Sequence, residues 1–519
     1  MRIPPNHISH STPTLGVIDR FHRVAGLSPI RALLKRSSSS CPLCHDNHLE
    51  RAMALYGRNR DDKNSIPWLC YPEVLTYRFL LGMLRLWLGV DRPVFRKLLS
   101  ERHTRHLIVN YLRGFAEFGA NTPQPSGAPV ILVWEITRSC NLHCIYCHVD
   151  ANQYPMKNEL TRGEKLELVQ QVAEAGTNAL MIAGGEPLTS PDLPDMIHEA
   201  HERGLYTVLI TNGTLLSREN AISLEAAGLD YVKVSIDSVS PKIHDALRGK
   251  GCWEKAVGGV ENAAEAGINT GISITATQAN FGEIPEIVQM AKELGCKRII
   301  IFNFVPSGRG GNEIGLDLDG EKRRKMLHLI MAETRSKILG ESPLEISTTA
   351  PQAPLIADRI LREFSFNQLA RGAMNLLPYG RIQAGAAFFS KGCSAGITLL
   401  SVDPDGSVRP CDMLPLKIGN IRERSLMEIW TKNPVLIKLR NRKNIRGWCG
   451  ECSIRDICGG CRARAYTYFE DLFGPDPNCF RDKRTDWEGR EMAGRTVFEA
   501  SYEVGHDYRC ESWERSIGP

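Results

Sequence analysis

Three cysteines close together carry the first chemical signal in the chain. Cys140, Cys144 and Cys147 follow a short apolar run and are separated from each other by three and then two residues. Three thiolates on one short loop can hold three irons of a cubane cluster, which leaves the fourth iron open to a substrate or cofactor. A zinc knuckle is the alternative, but a structural zinc site needs four closed ligands. The spacing therefore favours an iron–sulfur cluster with one open corner.

A second group of cysteines occupies the region between residues 393 and 479. Its seven members are Cys393, Cys411, Cys449, Cys452, Cys458, Cys461 and Cys479. Seven thiolates exceed one site and suit two clusters, one of them with an open or unusual fourth ligand. Two zinc sites, a lone disulfide and chance clustering are the alternatives. Because this region is dense in Gly and Pro and has few long periodic segments, metal centres would hold it together.

Short apolar or β-branched runs alternate with amphipathic stretches ahead of this region. The runs lie at residues 131–136, 179–183, 206–211, 231–236, 270–277 and 298–304, and amphipathic stretches such as 162–175 and 283–294 separate most of them. Six such units predict an α/β fold with a parallel sheet and helices outside it. In such folds, ligands bind at the carboxyl ends of the strands. The loop of Cys140 leaves the first predicted strand at this edge.

Polar residues follow the next three predicted strands at the same edge. The second strand runs into Gly184, Gly185, Glu186 and Pro187, the third ends at Thr211 and Asn212, and the fourth runs into Ser235 and Asp237. Glycines let a backbone approach a ligand closely, and a carboxylate can pair with an ammonium group. Each motif alone is more often a turn. Because all of these motifs follow the carboxyl ends of successive strands, together they predict a single ligand site.

Through Cys140, Cys144 and Cys147, with Tyr146 beside the last cysteine, residues 130–310 resemble the radical S-adenosylmethionine (radical SAM) superfamily. The resemblance implies a partial (β/α)6 barrel and a 4Fe-4S cluster whose open iron chelates the methionine moiety of S-adenosylmethionine (AdoMet). It also implies cofactor-binding residues, namely Gly184, Gly185, Glu186, Pro187, Asn212, Ser235, Asp237 and Arg248, with Asn280 as a further candidate. For Arg248 a surface salt bridge is the alternative. Residues 305–310 resemble the segment on the adenine side.

The chemistry that this resemblance implies is electron delivery to a sulfonium. Reduction by one electron splits AdoMet into methionine and a 5′-deoxyadenosyl radical, which abstracts hydrogen from an unactivated C–H bond. The cofactor supplies this step, while the protein positions the substrate and excludes water and oxygen. A flavodoxin or ferredoxin-type protein is the implied electron donor. No catalytic side chain is predicted.

The cysteines from 393 to 479 resemble the SPASM extension of radical SAM enzymes, which carries two auxiliary 4Fe-4S clusters. By that likeness Cys393, Cys411 and Cys461 ligate the first cluster, and Cys449, Cys452, Cys458 and Cys479 ligate the second. Two residues separate Cys458 from Cys461, whereas three is the usual number, so the partition stays open. The run 458–466 resembles members that tailor haem in the denitrification-haem and alternative-haem pathways. Peptide-modifying maturases share the same module.

These features predict a radical SAM oxidoreductase or lyase that oxidises, decarboxylates or cross-links its substrate. A haem-precursor tetrapyrrole is the first candidate substrate, and a ribosomally made peptide is the second. A pyranopterin-forming cyclase is a further alternative, and an iron–sulfur electron-transfer protein or zinc-binding module belongs to a different class. Arg462 and Arg464 either meet tetrapyrrole carboxylates or balance the charge of an anionic cluster.

The patterning divides the chain into six segments. They are a flexible arm at 1–40, a mainly helical extension at 41–125, the barrel at 126–315, a bridging segment at 316–391, the SPASM module at 392–485 and a tail at 486–519. In the extension, Cys41 and Cys44 with His45, His48 and Cys70 either form a small metal knuckle or remain reduced thiols. The amphipathic stretch 71–118 packs on the barrel, binds an acidic protein or lies on a membrane surface.

The composition limits the class of protein and the cellular compartment that we expect. The chain has 519 residues, of which 42% are hydrophobic and 24% charged, and this excludes an ordinary disordered protein. Its net charge of +5 is concentrated in residues 1–125, which hold 18 basic against 9 acidic residues. The rest is slightly acidic, so nucleic acid is not expected as a partner. With no secretory signal pattern, we expect a cytoplasmic protein whose extension gives it access to a membrane surface.

Overall fold

The computed structural model describes residues 28–44, 47–57, 67–364, 366–477 and 479–480. The chain divides into two units, Met1–Asn478 and Cys479–Pro519. In the second unit, only Cys479 and Phe480 are among the described residues. The predicted tail at 486–519 and most of the predicted arm therefore lie outside the described residues.

A ten-stranded sheet forms the centre of the first unit, in the order β10-β9-β8-β1-β2-β3-β4-β5-β6-β7. The strands are β1 Ile131–Glu135, β2 Ala179–Ala183, β3 Tyr206–Thr211, β4 Tyr231–Ser235, β5 Asn269–Ala276, β6 Arg298–Asn303, β7 Glu345–Thr348, β8 Leu399–Val402, β9 Ser407–Arg409 and β10 Gly419–Asn420. Strands β8 and β1 to β7 are parallel, whereas β9 is antiparallel to its neighbours β8 and β10. The six predicted strands are confirmed, and β7 and β8 extend the sheet beyond them on either side.

Helices follow most of the strands of the barrel. They are Arg162–Ala175, Leu193–Glu202, Arg218–Ala226, Pro241–Arg248, Cys252–Glu265, Ile284–Glu293 and Gly320–Leu339, followed by Ala353–Glu363, Phe366–Met374 and Pro378–Ser390 in the bridging segment. Local sequence sets the ends of the first of them. The Thr161 side chain accepts from the Glu164 amide and the Glu164 side chain from the Thr161 amide, while Gly176 ends the helix in the left-handed region.

The helical extension packs on one face of the sheet. Its helices are Ser28–Ser38, His48–Gly57, Tyr71–Leu88, Arg92–Ser100 and Arg102–Phe118. Tyr111 from the last of these shares a buried core with Val133, Met181 and Val208 of the strands and with Tyr379 of the Pro378–Ser390 helix. The expected packing of the extension on the barrel is therefore confirmed. The helices Arg102–Phe118 and Pro378–Ser390 cover the face of the sheet that carries this core.

The predicted arm is wrong for its last part, because Ser28–Ser38 is a helix. The Arg31 guanidinium donates to the Ala116 carbonyl at 3.0 Å and to the Glu117 carbonyl at 3.1 Å, which fixes this helix on Arg102–Phe118. A separate core of Met53, Val74 and neighbouring side chains holds the extension together. Among the described residues, no helix is both long and apolar enough to span a membrane.

The cysteine-rich module contains short helices joined by turns. They are Leu426–Lys432, Pro434–Arg440, Gly447–Gly450, Arg455–Cys458 and Arg462–Phe469. Arg464 connects this module to the barrel, because its buried guanidinium donates to the Phe304 carbonyl after β6 at 2.9 Å and pairs with Asp317 and Asp476 at 2.7 and 2.8 Å. The module is therefore built onto the same sheet as the barrel.

Candidate cofactor and iron–sulfur sites

The loop of Cys140, Cys144 and Cys147 leaves β1 at the carboxyl edge of the sheet, as predicted. The Cys140 amide donates to the Asn152 carbonyl at 2.7 Å, which folds the loop back on itself. Two sulfurs accept backbone hydrogen bonds, from Leu142 to Cys140 at 3.4 Å and from Ala151 to Cys147 at 3.5 Å. Amide donors to sulfur are one means by which proteins tune cluster thiolates.

The separation of the three sulfurs distinguishes a cluster from a single ion. Among the described residues, two groups of His, Cys, Asp or Glu bring three or more ligand atoms within 4.8 Å of one another, and Cys140, Cys144 and Cys147 are not one of them. One zinc ion holds each thiolate at about 2.3 Å, so its sulfurs lie about 4 Å apart. A cubane gives each of the three cysteines its own iron. At least one pair of the three sulfurs is therefore more than 4.8 Å apart, which a cubane accommodates.

Gly184 and Gly185 let the end of β2 touch the cysteine loop. The Gly185 amide donates to the Thr137 carbonyl and the Glu186 amide to the Ser139 carbonyl, each at 2.7 Å. A Cβ on Gly184, whose φ is +147°, would lie 2.7 Å from the Thr137 oxygen, and a Cβ on Gly185 would overlap the Ser139 oxygen. Close backbone approach is thus required here, and its partner in the structure is the cysteine loop.

Glu186 joins the ends of two strands to this loop. Its fully buried carboxylate accepts from the Thr211 hydroxyl at 2.7 Å and from the Asn212 amide at 2.8 Å. The Asn212 side chain in turn donates to the Asn141 side chain in the loop at 2.9 Å. Burial raises the pKa of Glu186 despite these hydrogen bonds. Pro187 begins the 3-10 turn Pro187–Thr189. Binding of an ammonium group by Glu186 stays a prediction.

Asp237 is a buried hub behind the cysteine loop. Its carboxylate accepts from Arg248 Nε at 2.6 Å, from the Tyr146 hydroxyl and from the Thr275 amide at 2.9 Å. Its carbonyl accepts from the Asn280 side chain at 2.8 Å. Burial alone would raise the pKa of Asp237, but the Arg248 charge and these hydrogen bonds hold the pKa below its ordinary value. The surface salt bridge considered for Arg248 is therefore wrong, because this ion pair is buried.

Two arginines place positive charge near Cys144. Burial raises the pKa of the Cys144 thiol, and the charges of Arg248 and Arg309 oppose that rise. Arg309 Nε also donates to the Cys144 carbonyl at 3.1 Å. The resemblance drew attention to residues 305–310 but not to this side chain, whose signal is a charged group directly after a strand end. Both cations favour an anionic centre at the loop.

Ser235, predicted to contact the cofactor, lies at the end of β4. Its hydroxyl is 3.2 Å from the Ser273 hydroxyl of β5, and the residue is partly buried. It stands on the same edge of the sheet as Asp237 but makes none of the hydrogen bonds to the loop that the neighbouring residues make. Its role toward the cofactor stays a prediction.

Lys233 is a buried cation that the sequence analysis missed. It is fully inaccessible, its ammonium lies 4.7 Å from the centroid of the Phe302 ring, and no hydrogen-bond partner for it exists among the described residues. Burial lowers the pKa of Lys233 to about 7. Its strand, β4, reads as an ordinary apolar run with one polar residue, so periodicity alone draws no attention to it.

Three of the auxiliary cysteines lie within electrostatic range of each other. Burial raises the pKa of Cys411 most, and the charges of Cys393 and Cys461 raise it further. These are the three ligands that the resemblance implies for the first auxiliary cluster. Cys393 also contacts the second predicted set, since its amide donates to the Cys458 carbonyl at 3.1 Å. Arg442, buried beside them, donates to the Asp456 carbonyl at 2.8 Å.

The other predicted auxiliary ligands follow the turns of the module. The Cys452 amide donates to the Cys449 carbonyl at 3.4 Å, and the Asp476 amide donates to the Cys449 sulfur at 3.3 Å. Cys479 belongs to the second unit, and its ligation stays a prediction. The set of cysteines is present as expected, while the partition between two clusters is taken up below as a proposal.

Arg462 and Arg464 have protein partners. Arg462 Nη1 donates to the Leu472 and Gly474 carbonyls at 3.1 and 2.7 Å, and Arg464 pairs with Asp317 and Asp476 as described above. The hypothesis that both meet tetrapyrrole carboxylates is therefore wrong for Arg464, whose guanidinium is fully buried between two carboxylates. Its charge instead supports the packing of the module.

Comparison with known proteins places the chain in a family. Residues 134–291 match the model of the radical SAM superfamily, and residues 393–453 match that of an iron–sulfur cluster-binding domain, SPASM. The AdoMet-dependent heme synthase of Methanosarcina barkeri is 34% identical over 355 residues, which cover 68% of this chain and 97% of that protein. The chain belongs to the radical SAM superfamily. It is an enzyme whose cofactors are 4Fe-4S clusters and AdoMet.

Other relatives span two kinds of chemistry. The pre-heme d1 synthase of Dinoroseobacter shibae is 29% identical over 69% of this chain and 87% of its own length. The PqqA peptide cyclase of Rhizobium meliloti is 28% identical over 72% of this chain and 94% of its own length. The crystal structure of Streptococcus suis SuiB bound to AdoMet superposes with a TM-score of 0.57 at 17% identity, over 82% of this chain and 92% of that one. This last likeness confirms the fold.

Proposed function

We propose that this radical SAM enzyme acts on a haem-precursor tetrapyrrole, by oxidative decarboxylation or another modification of a carboxylate side chain. The observation that carries the proposal is the 34% identity to an AdoMet-dependent heme synthase over 97% of that protein. A second protein of Methanosarcina barkeri, an Fe-coproporphyrin III synthase, is 32% identical over 364 residues. Both names refer to iron tetrapyrroles, whereas the peptide-modifying relatives are less similar.

In this proposal the residues at the carboxyl edge of the sheet divide two tasks. Cys140, Cys144 and Cys147 hold the cluster, and the polar groups of Ser235 and Asn212 beside the loop face the bound cofactor. When bound, the cluster and AdoMet supply a radical that removes a hydrogen atom from the substrate. The hydrogen bonds of Asp237 with Thr275 of β5 and of Glu186 with Thr211 of β3 support a rigid setting for the loop.

The auxiliary module is proposed to hold two clusters. Cys393, Cys411 and Cys461 ligate the first, which is supported by the mutual influence of these thiols on the pKa of Cys411. Within the first unit, Cys449, Cys452 and Cys458 are the proposed ligands of the second cluster. Arg442 lies beside Cys393 and Cys458, where its positive charge offsets that of an anionic centre.

The burial of Lys233 supports the proposal that the substrate is anionic. A buried ammonium without a hydrogen-bond partner carries a desolvation cost that a carboxylate would offset. Lys233 projects from the middle of β4, two residues before Ser235 at the strand end. Because Lys233 is fully inaccessible in this structure, a substrate carboxylate would reach its ammonium only if the barrel opened at the cofactor edge. Haem precursors carry carboxylate side chains.

The proposed reaction balances as an oxidation. A hydrogen atom leaves one carbon of the side chain for the deoxyadenosyl radical, the C–C bond to the carboxylate breaks, and carbon dioxide leaves. The electron that remains on the substrate needs an acceptor, and the auxiliary module provides the candidate centres. A flavodoxin or ferredoxin-type protein is proposed to deliver the electron that starts each cycle.

The direct test uses reconstituted enzyme under anaerobic conditions with AdoMet, dithionite and an iron porphyrin that carries carboxylate side chains. We expect deoxyadenosine to form and the porphyrin to lose carbon dioxide and hydrogen, measured by mass spectrometry. With a porphyrin deuterated at the side chain, deuterium should appear in deoxyadenosine. The Cys140→Ala variant controls for chemical reduction. Deoxyadenosine formed without any change in the porphyrin, or conversion of a ribosomal precursor peptide instead, would contradict the proposal.

A cytoplasmic enzyme that rests on a membrane surface is the second part of the proposal. The Tyr71–Leu88 helix and the turn before it expose a broad apolar face, formed by Trp68, Leu69, Leu75, Phe79, Leu80, Met83, Leu84, Leu86 and Trp87. Trp68 and Phe79 are 79% and 68% exposed. Arg78 and Arg85 interrupt this face, and Glu73 is the one acidic residue of the helix. An exposed apolar face with one tryptophan in the helix, another in the preceding turn and arginines among its side chains fits interfacial binding to anionic lipid.

Flotation with vesicles tests the membrane proposal. We expect binding to vesicles that contain anionic lipid, weaker binding to neutral ones, and loss of binding in a Phe79→Ser/Trp87→Ser variant. Ile222→Ser, which changes a residue 53% exposed on another helix, is the matched control. Equal flotation of the double variant, or binding only to an acidic protein, would refute the lipid assignment.

A further inference from the structure

Four metal-ligating side chains converge in the helical extension, away from the cluster sites. The sulfurs of Cys41, Cys44 and Cys70 and a ring nitrogen of His48 all lie within 4.8 Å of one another. The Cys41 and Cys70 sulfurs are 3.9 Å apart, and the Cys44 sulfur is 3.2 Å from His48 Nε2. Tetrahedral zinc with bonds of about 2.0–2.3 Å separates its ligand atoms by about 3.3–3.8 Å. We propose that these four residues form a structural zinc site.

Three separate elements deliver the four ligands. Cys41 and Cys44 lie in the loop after the Ser28–Ser38 helix, His48 is the first residue of His48–Gly57, and Cys70 ends the 3-10 turn that precedes Tyr71–Leu88. From sequence alone the knuckle lacked a second Cys-x2-Cys pair. The fold replaces that pair with His48 and with Cys70, which arrives from the next helix. His45, the other sequence candidate, lies outside the described residues.

The surroundings of His48 match those of a zinc ligand. Its Nδ1 is 2.9 Å from a carboxylate oxygen of Glu73, which leaves Nε2 directed at Cys44. The same carboxylate accepts from Arg36 and from the Tyr77 hydroxyl, each at 3.2 Å. A carboxylate bound to the distal nitrogen fixes the tautomer and orientation of a metal-bound imidazole.

Further features favour a closed structural ion over a reactive one. The Leu43 amide donates to the Cys41 sulfur at 3.4 Å, an amide–sulfur bond inside the loop. Cys41, Cys44 and Cys70 are all without a disulfide bond. His48 and Cys70 are 8% and 2% exposed, so the site is buried on one side. Three thiolates and one imidazole complete the coordination of zinc, which leaves no open position for a substrate.

The site would hold the extension together. His48 begins one helix and Cys70 directly precedes another, and side chains of these two helices, Met53 and Val74 among them, belong to the separate core of the extension. A metal ion that joins three elements adds its binding free energy to the stability that this core supplies. The same ion fixes the turn from which Trp68 starts the exposed apolar face. The inference does not rest on the proposed substrate.

The test measures metal in the full chain with its clusters reconstituted. We expect one zinc per chain in addition to iron, and zinc X-ray absorption with three sulfur neighbours and one nitrogen. Cys44→Ser and Cys70→Ser should each lose that zinc, whereas Cys296→Ser, a change at a buried cysteine elsewhere, should keep it. Zinc well below one per chain, a shell of four sulfurs, or zinc unaffected by Cys44→Ser would overturn the proposal.

A milder variant keeps the proposal testable where a cysteine variant fails to fold. Glu73→Gln leaves all four ligands in place and weakens the charge at His48 Nδ1. We expect zinc affinity to fall about 10- to 100-fold in a chelator competition, the range typical of such outer partners. Cobalt substituted into the wild-type protein should show thiolate charge-transfer absorption. Affinity unchanged in Glu73→Gln, or no cobalt spectrum, would contradict the assignment.

Discussion

The ion pair of Asp237 and Arg248 makes a sharp prediction about the cysteine loop. The two groups are 2.6 Å apart, Asp237 is fully buried and the Arg248 side chain is 10% exposed. Replacing Arg248 with Met leaves a buried carboxylate without its cation, which costs about 3–5 kcal/mol. For the compact unit Met1–Asn478, that loss lowers the melting temperature by about 3–5 °C. Because Asp237 also holds the Tyr146 hydroxyl, the cluster should become labile as well.

A double-mutant cycle separates this reasoning from a general loss of packing. Asp237→Asn together with Arg248→Met removes both charges, so the double variant should cost clearly less than the sum of the single ones. Arg162→Met is the matched control, since its pair with Asp195 is 60% and 48% exposed and solvent screens it, so its loss should change stability little. Thermal unfolding and iron content are measured under anaerobic conditions. Additive effects, or an Arg162→Met loss as large as that of Arg248→Met, would refute the account.

Two further changes test other parts of the site. Gly185→Ala would place a Cβ in overlap with the Ser139 oxygen, so this variant should not retain the AdoMet-binding cluster. Gly163→Ala is the control, because no atom lies within 4 Å of the added Cβ, and it should retain the cluster. Normal iron content in Gly185→Ala would show that β2 does not hold the loop. Lys233→Met should raise stability at neutral pH but weaken binding of a carboxylate-bearing porphyrin. The pKa of Lys233 is about 7 in the folded protein and ordinarily 10.5, so its charge destabilises the fold fully below pH 7. The free energy of unfolding should therefore increase as the pH rises from 7 toward 10.5. In Lys233→Met this increase should be absent. An unchanged pH profile in Lys233→Met would contradict the burial argument.

The strands and the cysteine loop could be predicted because local pattern determines them. Five- to eight-residue apolar runs bounded by turns become buried parallel strands, and the Thr161 capping box marks the start of a helix. The carboxyl edge of the sheet then brings the loop of Cys140 together with Glu186 and Asp237. These contacts follow from topology once the order of strands is known.

Other features depend on contacts between distant parts of the chain. The Ser28–Ser38 helix has Ile30, Leu33 and Leu34 at helical spacing, but it is only 11 residues long, so its stability also depends on contacts such as Arg31 with the carbonyl of Ala116. The hydrogen bond of Arg309 to the loop and the approach of Cys70 to Cys41 join residues separated by 165 and 29 positions. No local pattern encodes these approaches, which explains why the sequence singled out the run 305–310 without predicting the contact of Arg309 with the cysteine loop, and why it left the metal site open.

Lys233 illustrates a different limit of sequence reasoning. A single lysine in an apolar strand is usually read as the exposed residue of an amphipathic pattern. Here both faces of the strand are covered, so the ammonium is buried beside Phe302. Only the packing of the second face, which comes from helices far along the chain, turns an ordinary lysine into a candidate substrate contact.

Electron paramagnetic resonance of the reduced enzyme, with and without AdoMet, tests the central claim most directly. A cluster held by three cysteines has an open iron, so AdoMet should change its signal, and the responsive signal should disappear in Cys144→Ala while the auxiliary signals remain. A spectrum that AdoMet leaves unaltered, or a responsive signal that survives in Cys144→Ala, would contradict the assignment of this loop.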